Sequence, residues 1–247
     1  MPLTPARTLR VPGRYAMSFD GVDDFVYVGD SPSLRPYSFT IFLWAYMTGW
    51  QSGQGLLFWK TGNAPGYYVY LEVNAPAYGA RVRHLLSNAS TGARYDYTMG
   101  QPFNIWFSTA LVYDGAKAYS YLNGALQNSA SLAVDNTKNT NPLRIGYPNG
   151  QNPPYLIGEL RFYSRALSDA EISVLYQYPD APVTEGLVLW LKADPAYVKD
   201  IDNDGILEWI DLSGCNNHGK IYGARLVQLA KDSARVLAPA RVLLPAR

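Results

Sequence analysis

Residues 38–46 read SFTIFLWAY. Phe39, Ile41, Leu43 and Ala45 alternate with Thr40, Phe42, Trp44 and Tyr46, the period of two that sends successive side chains to opposite faces of a strand. Both sets are rather apolar, which predicts a strand central in its sheet with neighbours on each face. Working outward, residues 16–28 (AMSFDGVDDFVYV) hold two β-rich pieces around a Gly-Val-Asp-Asp turn. Downstream, further strands are expected over 55–61, 67–73, 80–87, 94–99, 104–114, 116–124, 125–133, 143–147 and 157–164. Asp114-Gly115, Asn123-Gly124 and Asn149-Gly150 mark turns among them. Short strands at this spacing predict an all-β, two-sheet antiparallel sandwich rather than alternating βα units.

Composition agrees. Twenty Tyr, six Trp, 21 Gly and 17 Pro suit pleated strands and tight turns. A net charge of +1 and only 17% charged residues give no electrostatic reason to expect nucleic acid or an anionic membrane surface as partner. Cys215 is the sole cysteine, so neither an internal disulfide nor a cysteine zinc site is available. His84 and His218 are the sole histidines, too few for a histidine-rich metal site. No stretch approaches the roughly 20 apolar residues that span a bilayer. The opening residues, MPLTPARTLRVPGR, contain no apolar run of signal-peptide length.

One helix is expected. Ser168 and Glu171 form a capping box ahead of an apolar side made by Ala170, Ile172, Val174, Leu175 and Tyr176, and Pro179 follows. Residues 177–185 (QYPDAPVTE) read as a linker, and a distinct β-rich block occupies 186–247.

Three segments carry a family resemblance. SFDGVDDFVYVGDSPSLRPYSFTIFLWAY (18–46), AKAYSYLNGAL (116–126) and IGELRFYSRALSDAEISVLYQ (157–177) resemble, in order, the opening, a Leu-Asn-Gly turn and the closing strand with capped helix of laminin G-like, concanavalin A-like jelly-roll domains. The resemblance covers about residues 11–176. It implies a two-sheet antiparallel jelly roll with one short helix, residues 1–176 forming the domain. The C-terminal block resembles the same family out of place. GLVLWLKAD (186–194) and EWIDLSGCNNHGKIYGARLV (208–227) look like the preamble that ordinarily precedes the SFDG segment. Three outcomes are open for this block: it folds back on its own domain as a circular permutant, it begins an orphan second domain, or it completes a neighbouring subunit's sheet. The last would use Leu187, Val188, Leu189, Trp190, Ile221, Tyr222, Val236 and Val242 as assembly residues, giving a ring or filament by head-to-tail contacts.

Candidate sites are few. Asp200, Asp202, Asp204, the Ile206 carbonyl, Glu208 and Asp211 follow the spacing of a Ca2+ loop, with Gly205 at the sharp turn. Asn203-Asp204-Gly205 is also simply a polar hairpin turn. A second acidic set, Asp20, Asp23 and Asp24 with Glu159, falls where the resemblance implies a structural calcium, although Gly158 stands where the family often has Asp. Such aspartates equally serve turns by bonding their own backbone. Tyr46, Trp50, Trp59, Tyr67 and Tyr68 are candidates for a sugar-stacking platform, against the alternative that they are core. Asn88 heads a glycosylation sequon. No catalytic set is evident: the paired acids of a jelly-roll glycosidase are missing, and Cys215 near His218 lacks an orienting group.

The expectation is therefore a non-catalytic, self-assembling surface protein (an extracellular filament, appendage or virion component), with calcium as the one candidate cofactor. The alternative is a carbohydrate-binding or adhesion module with a polysaccharide partner.

Overall fold

The computed structural model describes residues 13–49, 53–60, 66–73, 80–87, 91–101, 104–137, 139–147, 153–229 and 241–242. In chain order, the strands are β1 (Tyr15–Phe19), β2 (Phe25–Val28), β3 (Phe39–Met47), β4 (Gly53–Lys60), β5 (Gly66–Val73) and β6 (Ala80–Ser87). Next come β7 (Arg94–Gln101), β8 (Trp106–Tyr113), β9 (Lys117–Leu122), β10 (Ala125–Ser131), β11 (Leu143–Gly146) and β12 (Tyr155–Tyr163). Helix α1 (Asp169–Gln177) precedes the C-terminal block of β13 (Leu187–Lys192), β14 (Val198–Lys199), β15 (Glu208–Trp209), β16 (Gly219–Tyr222), β17 (Arg225–Gln228) and β18 (Arg241–Val242). Every strand pairing is antiparallel. No described helix is long and apolar enough to cross a membrane.

Two sheets result. The first runs β10-β9-β8-β3-β12-β1-β17-β18, with β13 also paired to β12. The second runs β14-β15-β16-β2-β11-β4-β5-β6-β7. The alternation read in residues 38–46 has a direct structural meaning. Ile41, Leu43 and Ala45 join Met17, Phe19, Val26, Phe58, Leu111, Ile145 and Trp209 in the core between the sheets. Phe42, Trp44 and Tyr46 enter a second apolar layer on the outer side of the first sheet, with Trp106, Tyr163, Ile172 and Leu175. β3 is buried on both faces because α1 covers the outer one, and Trp44 stacks on Tyr176 of the helix at 5.5 Å. The predicted capping box holds α1 at its start: Ser168 Oγ accepts from Glu171 N, and Glu171 accepts from Ser168 N. The Arg165 guanidinium, together with those Ser168 bonds, lowers the Glu171 carboxyl to about 2.

The displaced block pairs with the chain's own sheets. β17 lies beside β1 and β16 beside β2, while β13 takes the half of β12 that β1 does not reach. Residues 155–157 of β12 pair with β1, and 159–163 pair with β13. The assembly candidates are engaged accordingly. Leu187, Val188 and Leu189 are buried, and Trp190, Ile221 and Tyr222 are half-buried. Val242 pairs with Val227, and Val236 lies outside the described residues.

A buried polar lock fixes the linker to the sheet. Arg161 is fully buried and donates to the Ala181 carbonyl at 2.7 Å, to the Pro179 carbonyl, and to Glu159. Its guanidinium lies 4.3 Å from the Trp190 ring centroid, and Trp190 Nε1 donates to Glu159 Oε1 at 3.0 Å. Burial raises the Glu159 carboxyl and Arg161 opposes the rise. The charges tolerate desolvation because each guanidinium nitrogen and Trp190 Nε1 has an acceptor.

His84, expected to be structural, lies between the sheets. Its Nε2 is 2.7 Å from Thr109 Oγ1 and its Nδ1 is 2.8 Å from Ser120 Oγ. Thr109 donates onward to the Tyr121 carbonyl, so it accepts from His84 Nε2–H. Nδ1 then accepts from Ser120, which accepts from Tyr95. This chain is complete only for a neutral imidazole, and burial holds the ring's pKa down to about 3.

Two predictions follow from the packing. A chain ending at residue 185 leaves open edges on β1, β2 and half of β12, and is expected to lose the cooperative transition seen by calorimetry. As for pH, the folded pKa of His84 lies below the ordinary imidazole value of 6.5, so the unfolded chain takes the proton first. Stability is therefore full above that value and falls as pH drops from there towards 3, by up to about 5 kcal/mol. Denaturant titrations across this window are expected to show that slope, and His84→Gln to flatten it.

Candidate functional site

Antiparallel partners directly opposite one another point to the same side of a sheet. Across the second sheet one such row runs through Lys199, Glu208, Lys220, Tyr27, Arg144 and Trp59, and farther along Leu85 stands opposite Asp96. Val26, Val28, Leu143, Ile145 and Trp209, at the alternate positions, fill the core, so the row lies on the outer face. Tyr27, Arg144 and Trp59 are half-buried, as are Phe25, Tyr147, Lys220 and Tyr222 around them. With strands about 4.8 Å apart, the three central residues form a continuous aromatic–cation–aromatic strip. The Arg144 guanidinium lies 5.3 Å from the Trp59 ring centroid, and Tyr147 meets the same ring edge-on at 5.2 Å. Phe25 and Tyr222 stack at 4.7 Å one step along. The outer face of the first sheet, by contrast, carries its Phe42, Trp44 and Tyr163 buried beneath α1 and the linker. The second sheet therefore presents the more accessible aromatic face.

The aromatic candidates from sequence separate. Trp59 belongs to the strip. Tyr46 does not: it is 3% exposed and packs on Trp106 at 5.6 Å, because its position on β3 faces the covered layer. Tyr67 pairs with Lys60 and Tyr68 with Trp59. Trp50 and the sequon residue Asn88 lie outside the described residues. Tyr27, Arg144, Tyr147, Phe25 and Tyr222 were not singled out from sequence. Alternation in FVYV (25–28) separates Phe25 and Tyr27 from Val26 and Val28, but does not say which pair is inward.

Among the described residues two acidic groups could take a cation. Carboxylate oxygens of Asp20, Asp23 and Asp24 lie within 4.8 Å of one another, as do those of Asp200, Asp202 and Glu208. Glu159 is not with the first group, since it is bound to Arg161 and Trp190 under the linker. Asp24 accepts from Asp20 N at 2.7 Å, and burial followed by its acidic neighbours raises its carboxyl. In the second loop, Gly205 N donates to Asp200 and Ile206 N to Asp204, while Ile201 N donates to Glu208. Lys220 brings its ammonium to Asp202 at 2.9 Å, to Asp204, and to Glu208 at 3.8 Å. Asp211, expected as the twelfth ligand, is elsewhere: it accepts from Trp190 N, Ser213 N, Ser213 Oγ and Asn217 N, organising the 211–217 turn.

The first acidic loop also joins the two ends of the chain. Gly223 of the IYGA stretch has φ +75°, and a Cβ there would fall 2.2 Å from Asp24 Oδ1. The SFDG and IYGA segments, far apart in sequence, thus share one contact that only glycine permits. Gly223→Ala is expected to lower stability by at least about 1 kcal/mol in denaturant titration, through both the left-handed backbone and the clash.

Comparison with known proteins completes the description. A family model described as concanavalin A-like lectin/glucanases superfamily matches residues 20–173. A Bacteroides ovatus protein to which carbohydrate binding is attributed superposes with a TM-score of 0.65 at 19% identity, over 87% of this chain and 60% of the other. This chain thus spans less than two thirds of that structure. Domain 4 of AbnA, an extracellular GH43 arabinanase of Geobacillus stearothermophilus solved with arabinotriose, superposes with a TM-score of 0.51 at 20% identity, over 65% of this chain and 76% of the domain. At these identities the likeness is one of fold. A search of curated proteins finds no match.

Proposed function

Because the chain belongs to the concanavalin A-like lectin/glucanases superfamily, we propose that it is a non-catalytic carbohydrate-binding module whose glycan lies across the outer face of the second sheet. One observation carries this reading: Tyr27, Arg144 and Trp59 adjoin in register on the more accessible aromatic face. Aromatic rings offer apolar faces to the C–H surfaces of sugars, and a guanidinium between them supplies directional donors. The reading takes the protein's place of work to be outside the cell, where such polysaccharides are met. The fold neighbours point the same way: one is a domain of an extracellular enzyme solved with an oligosaccharide. The self-assembly reading has less behind it, because the displaced block finds its partners within the chain.

Calcium enters the proposal as a structural ligand of the acidic loops at Asp20–Asp24 and Asp200–Glu208. Melting in excess calcium against chelator tests it. A higher midpoint with calcium is expected, and an unchanged one removes the ion.

The binding reading is tested on a glycan array followed by titration calorimetry. Wild-type protein is expected to retain at least one polysaccharide, and Trp59→Ala and Tyr27→Ala each to raise Kd about tenfold or more, equivalent to about 1.4 kcal/mol. Bound oligosaccharides are expected to be recovered uncut. Absence of binding, or binding indifferent to both substitutions, overturns the proposal.

A further inference from the structure

We propose that this face selects acidic glycans, with Arg144 as the residue that recognises the carboxylate or sulfate; the inference rests on the carbohydrate reading of the same strip. Most cations near the strip are paired within the chain, and the exposed Lys199, unpaired among the described residues, sits at the far end of the row, three strands from Tyr27. Lys220 is held by Asp202, Asp204 and Glu208. Arg83 and Arg94 share Asp96. In the rest of the sandwich, Arg35 and Lys60 share Asp30, Arg161 has Glu159, Arg165 has Glu171, and Lys192 has Asp180. Arg144 has no carboxylate partner among the described residues, and its contact is the Trp59 ring.

Its hydrogen bonding is equally incomplete. Arg144 Nε is enclosed and has no acceptor. The side chain as a whole is half-buried, so the outer N–H groups are left to face solvent. A guanidinium placed over a ring uses its planar face there and keeps its N–H edge free for an acceptor. It stays charged at every working pH. Nε itself is enclosed, so the outer N–H groups are what a ligand can reach, and charge-assisted bonds there are roughly twice as strong as neutral ones.

The register completes the argument. Tyr27 and Trp59 stand directly opposite Arg144 on its two neighbouring strands, each about 4.8 Å away. A sugar ring resting on either aromatic brings a substituent of that ring, or of the next one, to the guanidinium. A neutral hydroxyl there accepts a hydrogen bond. A carboxylate or sulfate also balances the charge.

The experiment compares the full chain binding polygalacturonate, dextran sulfate and neutral dextran or arabinan by calorimetry, at low and high salt. Wild type is expected to bind at least one acidic polymer about tenfold or more tightly than the neutral ones, with affinity falling as salt rises. Arg144→Gln is expected to bring that ratio to about one. Arg144→Lys, which keeps the charge but not the planar fork, is expected to fall between. The carboxylated and sulfated arms show which anion is read. Equal affinity for acidic and neutral glycans, or an acidic preference that survives Arg144→Gln, overturns the inference while leaving glycan binding intact. If Arg144→Gln does not fold, the wild-type ratio and its salt dependence decide. Failure of the binding reading looks different: no polymer binds, or binding ignores Trp59→Ala and Tyr27→Ala.

Discussion

Each backbone N–H and C=O along β12 needs a partner, because the strand is buried on both faces and water cannot supply one. On one side β3 provides partners along almost the whole length. On the other, β1 ends at Ile157 and leaves Glu159–Tyr163 unpaired until β13 arrives from the C-terminal block. That one requirement draws in the rest of the block. β13 brings Trp190 against Arg161 and Glu159, which pins the linker, and β15–β17 follow to close the edges of β2 and β1. The C-terminal block thereby lies beside the SFDG segment, and Gly223 against Asp24 is where the two stretches touch.

The same closure shapes the surface. Once the helix and linker lie over the first sheet, its Phe42, Trp44 and Tyr46 become a second core, and an aromatic count alone no longer marks a ligand face. Among the described residues no helix packs on the central strands of the second sheet's row, and its Tyr27, Arg144 and Trp59 keep part of their surface in water. Charge is distributed with similar economy. Acidic loops are answered by Lys220 or by backbone amides, and the buried Arg161 and Lys60 each have a carboxylate. Arg144, at the centre of the face open to a ligand, has no carboxylate among the residues described, and neither does the exposed Lys199 at the far end of its row.

Much of this was legible in residues whose meaning is local. The two-residue period of SFTIFLWAY, the Asn-Gly and Asp-Gly turns and the Ser168–Glu171 capping box are set by backbone geometry within a few positions, and they predicted the sandwich, its central strand and its helix. The DxDxDG spacing was also visible, but spacing does not say where a side chain turns. Asp211 is drawn away by the amides of Trp190, Ser213 and Asn217, and Glu159 by Arg161, partners that are distant or not recognisable in sequence.

Sequence by itself therefore determined the fold class, the strand alternation and the helix cap, because period and turn chemistry are properties of neighbouring residues. Tertiary structure decided which face of each strand is covered and which residues stand opposite one another. Tyr46 and Tyr27 sit in equally alternating strands, yet one is buried against Trp106 and the other lies half-open beside Arg144. The difference comes from α1 and the linker packing on one sheet, and from a register across nine strands that aligns Tyr27, Arg144 and Trp59. Both are long-range outcomes of satisfying every buried strand edge at once, which no local pattern encodes.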